Sequence, residues 1–182
     1  CAENPTGERA GGGRATEGFS SSATRDLGRG WKVNPAIGLE AGETATLAEI
    51  DGPGAIQSIW MTGRGDFRKM ILRFYWDGQE HPSVECPLSD FFACGWKKFS
   101  QLNSAMVCVN PGLAFNCYWT MPFRKHARIT VENLHSENGV VFYQINYALN
   151  EVPDDAAYFH AQFRRENPVT KGRVYTILDD IE

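Results

Sequence analysis

At 182 residues with a formal charge of −4, the chain has the size of one domain, able to bury roughly two thirds of the surface that its unfolded form exposes. Its charges are spread without long like-sign blocks, so it lacks the basic footprint that a phosphate backbone demands, and nucleic acid is not an expected partner. No run approaches the ~20 consecutive apolar residues of a membrane-spanning helix, and the polar opening CAENPTGERAGGGRATEG has no apolar signal-peptide core, so no membrane partner is expected either.

Residues 1–30 are rich in Gly, Ser, Thr and charge and offer little to a core, which predicts an extended polar arm ahead of a folded domain at 31–182. Such an arm does not order itself. A neighbouring subunit or a second domain is the expected surface for it to lie on.

After Trp31 the apolar period becomes two. Segments 43–50, 55–62, 69–76, 115–120, 126–132 and 140–149 carry the β-branched and aromatic load of strands. In the third, Met70, Leu72, Phe74 and Trp76 fall on one face and Ile71, Arg73 and Tyr75 on the other; the first set is predicted core. In the fifth, Ala127, Ile129 and Val131 oppose His126, Arg128, Thr130 and Glu132, the pattern of a half-solvated antiparallel strand. Asp51-Gly52-Pro53-Gly54, Trp76-Asp77-Gly78-Gln79 and Glu137-Asn138-Gly139 read as positive-φ tight turns, so strands are expected to follow one another through hairpins or short loops. Eight to ten strands without intervening helices predict an all-β fold, a single jelly-roll β-sandwich.

The stretch from Pro87 to Pro111 departs from this rhythm. Asp90-Phe91-Phe92-Ala93-Cys94-Gly95-Trp96 sets large aromatics beside glycine and a lone carboxylate. Aromatic loops at sandwich ends bind ligands, which makes Asp90, Phe92 and Trp96 candidates; the alternative is a loop folded over the core edge. Asp90, between apolar neighbours, is expected to be desolvated with a raised pKa. Asp51, Asp77, Asp154 and Asp155 are read as turn residues. Further on, alternation across Tyr158–Arg164 sends Phe159, Ala161 and Phe163 inward and Tyr158, His160, Gln162 and Arg164 outward. That outward row matches the stacking and hydrogen-bonding needs of a sugar, and equally an ordinary polar sheet face or a subunit contact.

Five cysteines, Cys1, Cys86, Cys94, Cys108 and Cys117, include no CxxC pair. A chain of this length does not need disulfide staples. Cys86, Cys108 and Cys117 lie in apolar or aromatic runs, where a thiol packs as a small hydrophobe, so buried reduced cysteines in a cytoplasmic setting are expected. The four histidines sit apart with no HxH or HxxxH spacing, and no GxSxG elbow or phosphate-cradling glycine loop is present; no metal and no cofactor is expected.

Several unusual strings then accumulate in order: Glu3-Asn4-Pro5-Thr6-Gly7-Glu8, Asp51-Gly52-Pro53-Gly54-Ala55-Ile56 with Ile59-Trp60-Met61-Thr62, Leu72-Arg73-Phe74-Tyr75-Trp76-Asp77-Gly78, Pro87-Leu88-Ser89-Asp90-Phe91-Phe92, Met121-Pro122-Phe123-Arg124-Lys125, and Ala157-Tyr158-Phe159-His160-Ala161-Gln162. Together, over essentially the whole chain, they resemble glycoside hydrolase family 172, a former domain-of-unknown-function group. The resemblance implies two jelly rolls in tandem, homo-oligomers, and action on α-fructofuranosides or D-arabinofuranosides by a retaining mechanism with a glutamate nucleophile and a glutamate acid/base. The family's catalytic glutamates stand in motifs of the Gly-Glu-Gly-Asp and Gly-Thr-Glu-Asp-Tyr type, in the second half, and neither string occurs here.

The chain is therefore expected to be the first half of a double jelly roll, trimmed at both ends, without catalytic residues of its own. It would supply scaffold, oligomer contacts and part of a furanoside pocket, with a companion chain or domain carrying the second jelly roll. Glu3, Asn4 and Arg9 of the arm match family motifs and join the candidate substrate contacts, as do His160 and Gln162. The competing expectation is a non-catalytic jelly roll that binds carbohydrate or forms a structural oligomer.

Overall fold

The structure, a computed structural model, describes residues 1–8, 15–27 and 30–179. Among these lie twelve strands: β1 (Ala36–Leu39), β2 (Thr44–Asp51), β3 (Gly54–Arg64), β4 (Met70–Trp76), β5 (Val84–Pro87), β6 (Leu102–Asn103), β7 (Val107–Asn110), β8 (Ala114–Cys117), β9 (Met121–Phe123), β10 (His126–Asn133), β11 (Gly139–Ala148) and β12 (Ala161–Gln162). Two single-turn helices, α1 (Ser21–Thr24) and α2 (Leu88–Phe91), complete the elements. The larger sheet runs β1-β11-β3-β8-β7-β6 with β9 also paired to β3, and the smaller runs β12-β5-β4-β10-β2. Only the β12–β5 pairing is parallel.

Alternation in the sequence explains the long strands. β4 buries Met70, Leu72, Phe74 and Trp76 and leaves Ile71, Arg73 and Tyr75 half-buried. On the neighbouring β10, Ala127 stands opposite Trp76 and Ile129 opposite Phe74, so the two inward rows merge into one apolar layer. Ile59 and Met61 of β3, Phe115 and Cys117 of β8, and Val141, Tyr143 and Ile145 of β11 supply the facing layer, and the whole is one core. Thr130, expected on the solvated face, is buried; the β10–β2 register shifts between Ile129 and Thr130, which breaks the strict period at that residue.

From β1 to β4, and again from β9 to β12, consecutive strands change sheets. β2, β4 and β10 belong to the smaller sheet and β1, β3 and β11 to the larger, with β10 wedged between β2 and β4 and β11 between β1 and β3. This interleaving is the Greek-key logic of a jelly-roll sandwich. Two of the three predicted hairpin turns are consequently corners between sheets: 51–54 passes from β2 to β3, and 134–138 from β10 to β11. Their glycines answer close approach and not left-handed φ. A Cβ on Gly52 would sit 2.7 Å from the Phe123 ring, and one on Gly139 2.3 Å from Met70 Cε. The Asp77–Gly78 turn does use the left-handed region, at φ 55° and 81°, and it joins the paired strands β4 and β5.

Residues 1–8 lie against this sandwich. Glu49 N–H donates to the Pro5 carbonyl at 2.8 Å, the Tyr147 hydroxyl donates to the Gly7 carbonyl at 2.8 Å, and Ala2 packs on the core. The chain itself therefore supplies a surface under this part of the arm. The five cysteines are free thiols; Cys86, Cys94 and Cys117 are buried, whereas Cys108, expected inside, is only partly covered because its side chain is on the outward register of β7. Burial pushes the Cys86 thiol up to about 12 and that of Cys117 up to about 11. No helix among the described residues is long and apolar enough to cross a membrane.

Candidate functional site

The Pro87–Pro111 stretch contains α2, β6 and β7, and beside α2 opens a cleft with about 100 Å³ of water-accessible space. Asp66, Arg68, Ser89, Cys94, Lys97 and Phe115 are among its lining residues. The cleft sits on a platform of stacked rings: Phe92 lies over Phe115 at 5.3 Å and 19°, and Phe67 meets Phe115 edge-on at 5.5 Å. Phe92 is wholly buried. Its ring is core, with no surface to offer a sugar, because α2 turns it under the cleft.

Local backbone strain shapes the rim. Ala93, Trp96 and Lys97 hold left-handed φ values of 58°, 64° and 56°, each costing on the order of 1 kcal/mol for a residue with a Cβ. Cys94 N–H bonded to the Ser89 carbonyl at 2.8 Å, and Lys97 Nζ paired with Asp66, hold the turn in place. Trp96 is thereby thrown into solvent, 87 % exposed. Gly95 lies beside Asp90, where a Cβ would make ordinary van der Waals contact with Oδ1 at 3.6 Å.

Two carboxylates here are driven in opposite directions. Burial pushes the Asp90 carboxyl up, while Arg68, 3.2 Å away, and Ser89 pull against it. At Asp66 burial also pushes up, but the Lys97 ammonium and the Arg68 backbone N–H outweigh it and hold the carboxyl below its ordinary range. Asp90 thus holds its proton more readily than Asp66 does. Each is matched with a cation, an arrangement suited to gripping hydroxyls.

Arg68 also lies over the Phe163 ring at 5.0 Å, tying the cleft to the segment around β12. Phe163, expected inward, is half-exposed for that reason. His160 and Gln162 do point to solvent, with Arg164 donating to Gln162 Oε1 at 3.2 Å, but Tyr158 does not share their face: it packs against the core. In the arm, Glu3 Oε1 accepts from the Asn34 N–H and Asn4 Nδ2 donates to the Glu8 carbonyl, both at 2.7 Å; neither partner lines the cleft. Arg9 lies outside the described residues. Of the candidates, neither Asp90 nor Trp96 lines the cleft itself: Asp90 adjoins it through the lining residues Arg68 and Ser89, Trp96 precedes the lining Lys97, and Gln162 is joined to it through Arg68 and the adjacent Phe163.

Residues 15–167 match the family model described as the GH172 first beta-sandwich domain. The chain belongs to the GH172 family. It is accordingly part of a glycoside hydrolase family 172 protein, with carbohydrate as its general substrate class. No curated protein matches the chain. All twelve strands and the cleft fall within the matched span of this GH172 sandwich.

The GH172 sandwich also contains a polar hub that sequence reading took for a plain turn. Asp77 accepts from the backbone N–H groups of Arg124 (3.0 Å), Lys125 (2.6 Å) and His126 (3.0 Å) and from the Tyr158 hydroxyl. Burial works against its charge, but these donors hold the carboxyl below the ordinary range. Arg124 covers the Tyr158 ring at 5.0 Å and donates to the carbonyls of Pro153, Asp154 and Ala156. The hub clamps the segment after β11 across the sandwich end, where Trp76 Nε1 also donates to the Phe159 carbonyl at 2.9 Å. Asp66, Arg68 and Lys97 were missed as well: single charges in turns carry no spacing signal, and only folding brings them together.

Proposed function

We propose that this domain is the non-catalytic first sandwich of a retaining furanoside hydrolase, acting on α-fructofuranosides or D-arabinofuranosides. It supplies scaffold, oligomer contacts and one wall of the sugar pocket, while a glutamate pair on a companion sandwich carries out the cleavage. One observation above all supports this reading: at the α2 cleft each carboxylate has its own cation, Asp90 with Arg68 and Asp66 with Lys97. Retaining cleavage requires one carboxylate poised to attack the anomeric carbon and another to protonate the leaving oxygen, roughly 5 Å apart; carboxylates engaged by cations serve better to orient hydroxyls. Asp90 and the exposed Trp96 are the wall's leading sugar contacts, with His160 and Gln162 alongside. The buried thiols fit a reducing, cytoplasmic setting.

The deciding experiment assays the chain alone and together with a second GH172 sandwich on aryl α-D-arabinofuranosides and α-fructofuranosides. Turnover is expected only with both present, and Asp90→Asn or Trp96→Ala in the active assembly should raise KM more than it lowers kcat. Turnover by the chain alone would overturn the assignment and move the chemistry to Asp66 and Asp90.

A further inference from the structure

The outer face of the larger sheet carries a row of side chains that neither the cleft nor the core explains. Reading across the strands, Gln144 of β11 is the Cα partner of Trp60 on β3, Trp60 of Asn116 on β8, Asn116 of Cys108 on β7, and Cys108 of Asn103 on β6. Four steps of ~4.8 Å make this row about 19 Å long. It contains no charged side chain. Trp60 stands second in it, 38 % exposed, while its neighbours Ile59 and Met61 point into the core.

The amides around Trp60 are fixed in advance by bonds to one another. Gln144 Nε2 donates to Asn146 Oδ1 at 3.0 Å, Asn146 Nδ2 to Ser58 Oγ at 2.9 Å, and Lys32 Nζ to Gln144 Oε1 at 2.8 Å. Asn116 Nδ2 donates to the Cys108 and Ala114 carbonyls at 3.3 Å and 3.1 Å, which turns its own carbonyl oxygen free of that pair. Each amide group retains donor or acceptor capacity beyond these bonds. A second ring is close by: Tyr118 N–H bonds the Met106 carbonyl at 2.8 Å, extending the β8–β7 ladder by one residue, and Tyr118 is 48 % exposed. Two residues beyond Asn116, it shares that residue's side of the sheet by alternation and stands diagonal to Trp60.

We infer that this face is a second carbohydrate-binding site, a platform for a neutral glycan chain, separate from the α2 cleft and independent of the furanosidase reading. An indole ring stacks on the apolar C–H face of a sugar, and pre-oriented amides donate and accept to its hydroxyls, with little side-chain entropy left to lose. An acidic polymer would need a line of cations, and the row itself has none, the Lys32 ammonium beside it being engaged by Gln144 Oε1 at 2.8 Å; nucleic acid would need a basic surface. A stable protein interface would need a larger apolar centre than Trp60 and Tyr118 set among amides and hydroxyls.

Affinity electrophoresis of the purified chain through native gels containing inulin, levan or linear arabinan tests the inference. Retardation by at least one of these polymers is expected. Trp60→Ala should weaken it on the order of tenfold, the loss of one ring's stacking, whereas Trp60→Phe retains most of it and Trp96→Ala, at the proposed furanoside wall, weakens it less than Trp60→Ala does. Unaltered melting curves keep misfolding apart from lost binding. Three results would overturn the inference: no retardation by any of the polymers, full retardation of Trp60→Ala, or loss confined to Trp96→Ala. Light scattering supplies a fourth, because a fall in molar mass on Trp60→Ala makes the face a contact between copies of the chain.

Discussion

The two outer faces of the sandwich are built on the same backbone and carry opposite chemistry. On the smaller sheet, Arg73 Nε meets Glu85 at 2.5 Å and its Nη1 meets Glu132 at 2.6 Å, while Arg128 lies 4.2 Å over the Tyr75 ring. Every charge in that lattice has found a partner within the sheet, and the face is closed upon itself. On the larger sheet, the row through Trp60 is uncharged and its amides keep capacity to spare. The difference teaches that exposure alone does not mark a binding face: what marks it is unspent, pre-oriented hydrogen-bonding capacity beside a ring.

Substitutions can break that comparison or sharpen it. Phe74→Ala, in the shared core, should cost about 3–5 kcal/mol in urea unfolding and lower the unfolding midpoint of the amide face and of the ion-pair lattice together; a loss confined to one face would mean that the sheets unfold separately. Asp77→Asn keeps the shape of the left-handed turn but weakens the hub, for about 1–2 kcal/mol at neutral pH. The sign of its pH dependence is fixed. The folded carboxyl is held below its unfolded value of 3.8, so the stabilisation is complete above that value and disappears as pH falls through the folded one. Acid titration of the melting temperature should therefore bring wild type and Asp77→Asn together only as pH falls below 3.8 and through the folded value.

Smaller effects separate the faces themselves. Arg73→Met should cost about 1 kcal/mol in low salt, since its partners are partly solvated, and high salt should narrow the gap to wild type. Gln144→Ala should change stability by less than about 0.5 kcal/mol yet weaken glycan retardation. If Gln144→Ala proved as costly to the fold as Arg73→Met, the amide face would be structural and the contrast would fail.

Much of the frame was legible in the residues. The five long strands β2, β3, β4, β10 and β11, together with the aromatic-rich β8, carry enough alternation to declare both their existence and their inward faces, as at Met70, Leu72, Phe74 and Trp76. Six others, β1, β5, β6, β7, β9 and β12, have two to four residues each, too few for a period to show. At the site, the apolar neighbours of Asp90 announced its raised pKa, but nothing announced Arg68, whose approach depends on β4 and β5 pairing. The same aromatic string that drew attention to Phe92 concealed that it belongs to the core: large rings fill platforms and pockets alike.

What the sequence determined by itself was local: which stretches extend, which side of each is apolar, where the chain turns, and to which family it belongs. Which sheet each strand joined was decided by tertiary structure, because a turn such as Asp51–Gly54 fixes a change of direction and not the layer that receives it. The pairing of Asp90 with Arg68, the convergence of Arg124 and Tyr158 on Asp77, and the row from Gln144 to Asn103 were decided there too. Those contacts join residues far apart in the chain, and only the simultaneous burial of both inner faces against one core selects the register that brings them together.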